Sequence, residues 1–350
     1  MLEQNLGARP AYPVQPFKDK AFALEFLALM IRARVLEERL IKMSRSGDGF
    51  FWIGGPGEEA FNIALGLQVQ KGLGPEHDFL HLHYRNNGVV LAMGEPMVSF
   101  VRQMRSVSTD PFSGGRNFVS HIAKKEWNVM PVTSTIETQF SVAPGSARVQ
   151  MKLRRANKPA GITVVVGGDA GTAEGDFATA LVWASRPNDE LPLLMIVTNN
   201  QFGISTPANS QHGEKSIADR AKAFRIATNV VDGNSPERIW NAVRDAMDHV
   251  RTSGKPFLLE VQVSRLNGHS SSSGAARITS ELCPVTEFQK KLVKLGWLTE
   301  EKIKALWDAA VLEGTQALET ARAEFAPLAE TVQDHTFADG VRGGLPGKDF

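Results

Sequence analysis

The stretch GGDAGTAEGDF, residues 167–177, places an acid among glycines directly after the apolar run ITVVV. Glycines between a buried strand and a helix commonly hold a phosphate, because their amides can approach it closely. The spacing matches neither G-x-G-x-x-G nor a P-loop, since no Lys-Ser/Thr pair follows the last glycine. Asp169 is the informative residue, because an acid beside a phosphate is tolerable only when a cation lies between them.

A second polar pair, Asn199 and Asn200, ends the next apolar run, LPLLMIVTNN. Asp169 and Asn200 therefore follow two successive strands, and the carboxyl ends of parallel strands meet at one edge of a sheet. Carboxylate and amide oxygens suit Mg²⁺, and the carbonyl of Phe202 would be a third ligand. Taken singly, Asp169 is typical of an N-cap or turn acid, and the asparagines are typical of an Asx turn. The two features in this order favour a magnesium–diphosphate site.

The elements that position these residues follow from the hydrophobic pattern. ITVVVGG and LPLLMIVTNN are typical of buried parallel strands, and TAEGDFATALVWASR between them has the spacing of an amphipathic helix. Alternating helix and strand patterns follow in SIADRAKAF, NVVDG, SPERIWNAVRDAMDHVRTSG and PFLLEVQVSR. The predicted fold class is α/β, with a parallel sheet flanked by helices, a helical N-terminal lead-in and a C-terminal helical tail.

The N-terminal half predicts helices around one irregular region. We expect a long amphipathic helix from Lys20 to about Ser46, a second over Gly55–Gly74 and a third over Glu95–Met104. DFLHLHYRNNG predicts a short strand and then a turn at Asn86-Asn87-Gly88. Residues from Ser106 to about Thr135 predict a loop whose length is typical of functional segments.

Length and composition limit the possible classes. The chain has 350 residues, of which 42% are hydrophobic, and a formal net charge of +1. We expect an extended arm over 1–19, an α/β domain over 20–284 and a helical tail over 285–350 with a loosely ordered end. The near-neutral charge gives no reason to expect nucleic acid, and no apolar run is long enough for a membrane span. One cysteine, Cys283, excludes a disulfide framework, and the N-terminus lacks a secretory pattern, so we expect a cytoplasmic protein.

The two central motifs resemble the thiamine diphosphate motif, Gly-Asp-Gly followed by Asn-Asn. More narrowly, residues from about Gly57 to Arg277 resemble the alpha subunit of the decarboxylating component of 2-oxo acid dehydrogenase complexes. The motifs that carry this resemblance are, in order, GEEA, HYRNNG, TSTIETQ, GGDAGTAEGDF, NNQFGIST, VDGN, PFLLEV and RLNGHSSSS. The Tyr-Arg pair followed by TSTIETQ is nearer to the branched-chain members of the family.

The resemblance implies that the chain binds thiamine diphosphate and Mg²⁺. Asp169, Asn200 and the Phe202 carbonyl would hold the magnesium. Tyr84 and Arg85 match a diphosphate-binding pair, and arginine suits that task because its planar fork binds phosphate bidentately. The full implied cofactor-binding set is Tyr84, Arg85, Ile136, Gly168, Asp169, Ala170, Gly171, Asn200, Phe202, Ile204 and His269. Ile136 matches an apolar residue that props the cofactor's rings, although its pattern alone also fits core packing.

A potassium site and two histidines complete the implied set. Thr133, Thr135, Thr138 and Gln139 match positions around a structural potassium ion in some members, with Thr135 in place of a family proline. Glu137 introduces a charge beside them. His269, on a Ser- and Gly-rich loop, and His121 match two active-site histidines that orient substrate and move protons.

The implied reaction is the oxidative decarboxylation of a 2-oxo acid, a branched-chain one favoured, with acyl transfer to the lipoyl group of an acyltransferase component. In this family a beta subunit supplies the glutamate that activates the pyrimidine of the cofactor. The chain contains one α/β region, so we expect a heterotetramer of two alpha and two beta subunits.

Three departures keep alternatives open. Ala170 replaces the second glycine of Gly-Asp-Gly, Thr198 stands where close relatives have a diphosphate-binding arginine, and SSSSGAAR lacks an acidic pair after the loop histidine. The alternatives are a pyruvate or acetoin dehydrogenase alpha subunit, a non-catalytic alpha-like subunit, and a nucleotide-binding oxidoreductase with a fortuitous Asp…Asn-Asn pattern.

Overall fold

A five-stranded parallel sheet forms the centre of the molecule. The computed structural model describes Tyr12, residues 15–331 and Asp334. The strands of the sheet are β1 (Phe79–His81), β2 (Thr163–Gly168), β3 (Leu193–Asn199), β6 (Ala227–Asp232) and β7 (Phe257–Gln262), and a separate hairpin joins β4 (Phe202–Gly203) to β5 (Thr206–Pro207). The spatial order is β1-β2-β3-β7-β6. All residues of β2 and β3 are buried, as expected of strands covered on both faces, and this confirms the α/β class.

Helices cover both faces of the sheet. Their bounds are α1 (Lys20–Ser46), α2 (Glu59–Gln68), α3 (Asn87–Ala92), α4 (Met97–Met104), α5 (Thr138–Arg155), α6 (Gly175–Ala184), α7 (Ala218–Lys222), α8 (Pro236–Ser253), α9 (Pro284–Lys294) and α10 (Glu300–Arg322). The side chains of β2 and β3 alternate between two apolar clusters, one on each face of the sheet. Along the described part of the chain, no helix is both long enough and apolar enough to cross a membrane.

The first helix has the predicted bounds. The Asp19 side chain accepts a hydrogen bond from the amide of Ala21 at 2.9 Å and caps the start of α1. Gly47 ends the helix in the left-handed region, with φ of 78°. The loop predicted from Ser106 is also present, because only a 3₁₀ turn at Lys125–Trp127 interrupts the irregular backbone before α5.

Two predictions in the N-terminal half were wrong. Asn87 begins helix α3, whereas we expected a turn at Asn86-Asn87-Gly88. Buried hydrogen bonds explain the difference: Asn86 donates to Asn62 Oδ1 at 2.8 Å, and Asn87 donates to Glu37 Oε1 at 2.9 Å. The second helix is shorter than predicted, because it begins only at Glu59 and Val69 leaves it in an extended conformation.

The C-terminal helices pack onto the N-terminal ones. Helix α10 contacts α1 and α4, and α9 contacts α1 and α2. An ion pair between Arg102 on α4 and Glu324, just after the end of α10, stabilises this packing, with 2.6 Å between Nη2 and Oε1. The division at residues 284 and 285 stays a prediction. Most of the predicted arm over 1–19 and the loosely ordered end of the tail lie outside the described residues.

Candidate active site

Asp169 lies directly after β2, at the carboxyl edge of the sheet. Gly168 is paired with Thr198 on β3, so Asp169 and the asparagine pair leave the sheet side by side. The side chain of Asp169 is 1% exposed, and neither carboxylate oxygen has a hydrogen-bond partner in the described part of the chain. Asp169 occupies the N-cap position of the 3₁₀ turn at Ala170–Ala173, but its side chain makes no capping hydrogen bond. Burial raises the pKa of Asp169, and the Arg85 guanidinium opposes that rise.

The two asparagines form the Asx turns that the sequence left open. Asn200 Oδ1 accepts a hydrogen bond from the Phe202 amide at 3.1 Å. Asn199 Oδ1 accepts one from the Gln201 amide at 3.0 Å, and Asn199 Nδ2 donates to Glu260 Oε1 at 2.8 Å. A carboxamide oxygen has two lone pairs, so the turn leaves Asn200 able to accept a further bond or to hold a cation. The hairpin of β4 and β5 follows and carries Phe202 on its first strand.

The backbone accommodates Ala170 at the position where the motif has glycine. Ala170 begins the 3₁₀ turn, a right-handed conformation that alanine adopts without strain. Its methyl group instead constrains Gly203, where an added Cβ would lie 2.6 Å from the Cβ of Ala170. The alanine in place of the second glycine of Gly-Asp-Gly therefore favours a glycine at position 203 on the neighbouring hairpin.

Arg85 is the buried cation of the site. The Arg85 Nη1 atom lies 3.9 Å from Glu58 Oε1 and has no hydrogen-bond partner among the residues described. A Cβ added to Gly168 would lie 3.0 Å from the same nitrogen, so Arg85 reaches the glycine loop. Its guanidinium also lies 5.3 Å from the ring of Tyr84. A buried guanidinium with an unfilled donor beside glycine amides is suited to bind a phosphate.

Two further buried acids face this arginine, and the sequence did not predict either of them as a site residue. Burial raises the pKa of Glu58 to about 7, against the opposing effect of Arg85. Burial also raises the pKa of Glu137 to about 8, although the Gly168 amide and Arg85 act in the opposite direction. The Glu137 carboxylate packs on the loop so closely that a Cβ on Gly167 or Gly171 would lie 2.3 Å or 2.2 Å from one of its oxygens. A Cβ at either glycine would therefore displace the Glu137 carboxylate.

His269 lies at the mouth of the same cleft. Its ring is half-buried and meets the ring of Tyr84 edge to face, with 6.0 Å between centroids. Burial, followed by the charges of Arg85 and Arg265, lowers the pKa of His269 to about 4. The imidazole is therefore neutral near pH 7 and can accept a proton.

The second predicted histidine, His121, is buried below the surface. Its Nδ1 lies 2.9 Å from the Val119 carbonyl oxygen, and its Nε2 is hydrogen-bonded to Ser134 Oγ. Burial lowers the pKa of His121, so this ring is also neutral near pH 7. Sequence reasoning missed a third ring, His83, which stacks on Tyr84 with 3.7 Å between centroids. Its place directly before Tyr84 in HLHYR was the available signal.

One narrow cleft brings together three of the predicted residues, Arg85, Asn200 and His269. Its lining consists of Gly54, Gly55, Pro56, Glu58, Arg85, Asn200, Ser264, Arg265, Asn267, Gly268 and His269. Arg265 was not predicted, although it lies four residues before His269; its Nη1 donates to the Ile204 carbonyl at 2.6 Å. Ile136 is 43% exposed, so the core-packing interpretation of this residue is wrong.

The residues predicted for potassium lie on one short segment at the start of α5. The Thr135 amide donates to Thr133 Oγ1 at 3.1 Å, and the Thr138 amide donates to the Thr135 carbonyl at 3.3 Å. Gln139 Nε2 donates to the Val166 carbonyl at 2.9 Å, while its Oε1 is buried without a partner within the described ranges. Those same ranges contain no cluster of three or more His, Cys, Asp or Glu side chains that could hold a metal ion.

Known proteins resemble the chain over most of its length. A family model described as "Dehydrogenase E1 component" matches residues 28–329. The 2-oxoisovalerate dehydrogenase subunit alpha of Bacillus subtilis is 29% identical over 90% of the chain and 95% of its own length. The mitochondrial subunit alpha 1 of Arabidopsis thaliana is 31% identical over 91% and 67%. The mitochondrial subunit alpha of Caenorhabditis elegans is 29% identical over 91% and 74%. These matches confirm the resemblance that the motifs indicated.

Proposed function

The chain belongs to the dehydrogenase E1 component family, and we propose that it is the alpha subunit of a branched-chain 2-oxo acid dehydrogenase. Its reaction is the thiamine diphosphate- and magnesium-dependent oxidative decarboxylation of a 2-oxo acid, with transfer of the acyl group to a lipoyl carrier. The observation that carries the proposal is the buried carboxylate of Asp169, near the buried Arg85. Among the described residues, the two carboxylate oxygens of Asp169 and the Nη1 of Arg85 have no hydrogen-bond partner.

The residues of the site fit a magnesium diphosphate. Asp169, Asn200 and the Phe202 carbonyl would hold the metal, an all-oxygen set of the kind that Mg²⁺ prefers when phosphates and water complete it. Arg85 would bind the diphosphate through Nη1, which has no hydrogen-bond partner among the described residues. Arg265 lines the same cleft and supplies a second cation where Thr198, which is buried in the sheet, cannot.

The neighbouring side chains would orient substrate and move protons. When bound, thiamine diphosphate supplies the electron sink for loss of carbon dioxide. His269, neutral at the mouth of the cleft, would orient the incoming 2-oxo acid and lipoyl group and accept a proton at a ring nitrogen. His121 would also orient substrate and move protons, and the Val119 carbonyl fixes the orientation of its ring through Nδ1. The sheet edge carries the diphosphate half of the site, so a beta subunit in a heterotetramer would supply the pyrimidine-side glutamate.

Calorimetry on the reconstituted alpha–beta pair tests the cofactor site. Thiamine diphosphate should bind to the wild-type pair in the presence of Mg²⁺. Asp169→Asn should abolish this magnesium-dependent binding, because an amide brings no negative charge to the metal. Glu174→Gln is the matched control, an exposed acid on the same loop whose replacement should leave affinity unchanged. Absence of binding to the wild-type pair would contradict the proposal.

Turnover separates the remaining alternatives. With an acyltransferase component present, 2-oxoisovalerate should give a higher kcat/KM than pyruvate. A preference for pyruvate or acetoin would reassign the substrate within the family. Cofactor binding without decarboxylation of any 2-oxo acid would favour the non-catalytic subunit.

A further inference from the structure

Cys283 lies in a charged environment on the side of α1 and α2. It is the N-cap residue of α9 and is half-buried. Its sulfur accepts a hydrogen bond from Arg34 Nη1 at 3.3 Å. The same guanidinium donates through Nε to Glu59 Oε1 at 2.7 Å, and the Arg34 side chain is only 3% exposed. The thiol therefore faces a buried cation that Glu59 holds in place.

The Arg34 guanidinium has a donor that the fold leaves unfilled. Nη2 is buried and has no acceptor in the part of the chain that the structure describes. Buried donors are nearly always paired, because an unpaired one costs about 1–3 kcal/mol. The unfilled Nη2 belongs to the same guanidinium whose Nη1 already contacts the sulfur.

The surroundings of the sulfur favour the thiolate. Burial acts to raise the pKa of Cys283, but Arg34 and hydrogen bonds from Thr286 outweigh it and lower the pKa below its ordinary value. The position at the start of an eleven-residue helix acts in the same direction. Glu59 is paired with Arg34, and two acids of α1, Glu37 and Glu38, also lie close enough to interact with the Arg34 charge. On α9, Glu287 is paired with Lys290.

We propose that Cys283 is a modification site for small hydroperoxides, with hydrogen peroxide as the simplest reagent. The thiolate sulfur attacks one peroxide oxygen, the O–O bond breaks, and the second oxygen leaves as hydroxide. Sulfur is oxidised by two electrons to a sulfenic acid, and the peroxide is reduced. The new oxygen is the acceptor that Arg34 Nη2 lacks. This site is separate from the glycine loop, so the inference goes beyond the proposed function.

Peptide mass spectrometry on the intact alpha–beta complex tests the proposal. The chain has one cysteine, so every sulfenic acid trapped on it by dimedone after peroxide treatment reports on Cys283. At pH 7 the native site should be labelled at least about threefold faster than the same cysteine in the urea-unfolded chain, because more of it is thiolate. Labelling at an equal or lower rate would overturn the proposal.

Substitutions identify the cause of any acceleration. The double variant Arg34→Met, Glu59→Gln removes the cation without leaving a buried carboxylate unpaired, and its labelling rate should fall to that of the unfolded chain. Thr286→Val removes a hydroxyl at an exposed position that is safe for folding, and it should slow labelling at least about twofold. Lys294→Gln, at an exposed position in the last turn of α9, is the control and should react like the wild type. If the double variant does not fold, an unchanged rate in Thr286→Val contradicts the proposal.

Discussion

Three buried acids, Asp169, Glu58 and Glu137, surround the single buried arginine of the cleft, and burial raises the pKa of each of them. The pKa values of carboxyl groups rise when burial removes the groups from water and the neighbouring cations do not compensate for the lost hydration. A divalent cation at Asp169 would supply that charge, which is the electrostatic reason to expect magnesium there.

The pH dependence of stability should reveal Glu137. Its folded pKa of about 8 exceeds the ordinary value of 4.5, so its contribution to stability is fully present below pH 4.5 and is lost as the pH rises through about 8. Glu137→Gln removes this loss. Relative to the wild type, the free energy of unfolding of the variant in urea should increase by about 3 kcal/mol between pH 5.5 and pH 8. The exposed control Glu126→Gln should show no such trend; a parallel pH dependence for both variants would refute the prediction.

His269 should separate cofactor binding from acyl transfer. Its ring faces Tyr84 at the mouth of the cleft, whereas Arg85 and Asp169 lie deeper, against the glycine loop. We expect His269→Ala to keep cofactor affinity within about threefold and to reduce acyl transfer to lipoyl groups by about a hundredfold or more. Calorimetry and a lipoyl-acylation assay measure the two effects. His249→Ala, on α8, is the control, and normal transfer in His269→Ala would remove this residue from the mechanism.

Among individual residues, the sequence predicted the site residues that directly follow strands. It missed those that reach the site only because the fold buries them there. Asp169 and Asn200 could be paired because the ends of neighbouring parallel strands share an edge. Glu58 and His83 acquire their roles only when they are desolvated against Arg85 and Tyr84, and nothing in their local sequence specifies that contact. Arg265 was missed for the same reason.

At the scale of elements, the hydrophobic pattern predicted the strands of the central sheet but did not predict two helices, α3 and α5. The strands β2 and β3 were recognisable because they are uniformly apolar. Helix α5 was not predicted, since its sequence contains Pro144 and many polar residues; contacts with α6 and β2 override that weak propensity. Helix α3 replaced a predicted turn because buried bonds from its first residue outweigh the local turn preference.

Glu37 on α1 connects that helix to Trp52 and to α3, and its removal should destabilise these contacts. Its carboxylate on α1 accepts hydrogen bonds of 2.9 Å from both Trp52 Nε1 and Asn87 Nδ2. Glu37→Ala would leave the Trp52 donor buried without an acceptor and would weaken the start of α3, so we expect a loss of about 2–4 kcal/mol in the free energy of unfolding. Urea unfolding measures it. The neighbouring exposed Glu38→Ala should cost less than about 1 kcal/mol, and an equal effect of both substitutions would contradict the role of Glu37.

At the scale of the whole molecule, the chain folds as a sheet whose binding edge is only partly enclosed. Helices α9 and α10 pack back on the N-terminal helices and complete the core away from that edge. The family resemblance implied that this chain holds only part of the cofactor site, because the chain contains one α/β region and the beta subunit supplies the other. The structure adds that Ile136, expected to prop the cofactor's rings, is 43% exposed next to the start of α5.

The isolated chain should therefore bind thiamine diphosphate and Mg²⁺ far more weakly than the alpha–beta pair. The residues that we propose for the phosphate side of the cofactor all belong to this chain, but an exposed Ile136 gains little by contact with a ring that remains in water. We expect at least about a hundredfold weaker binding by the isolated chain, measured by calorimetry, since a partner that buries both side chain and ring would add roughly 3 kcal/mol. Ile136→Ala should weaken binding only in the pair, whereas Val149→Ala, equally exposed on α5, should have no effect in either state. Equal affinity of the isolated chain and the pair would show that this chain contains the complete cofactor site.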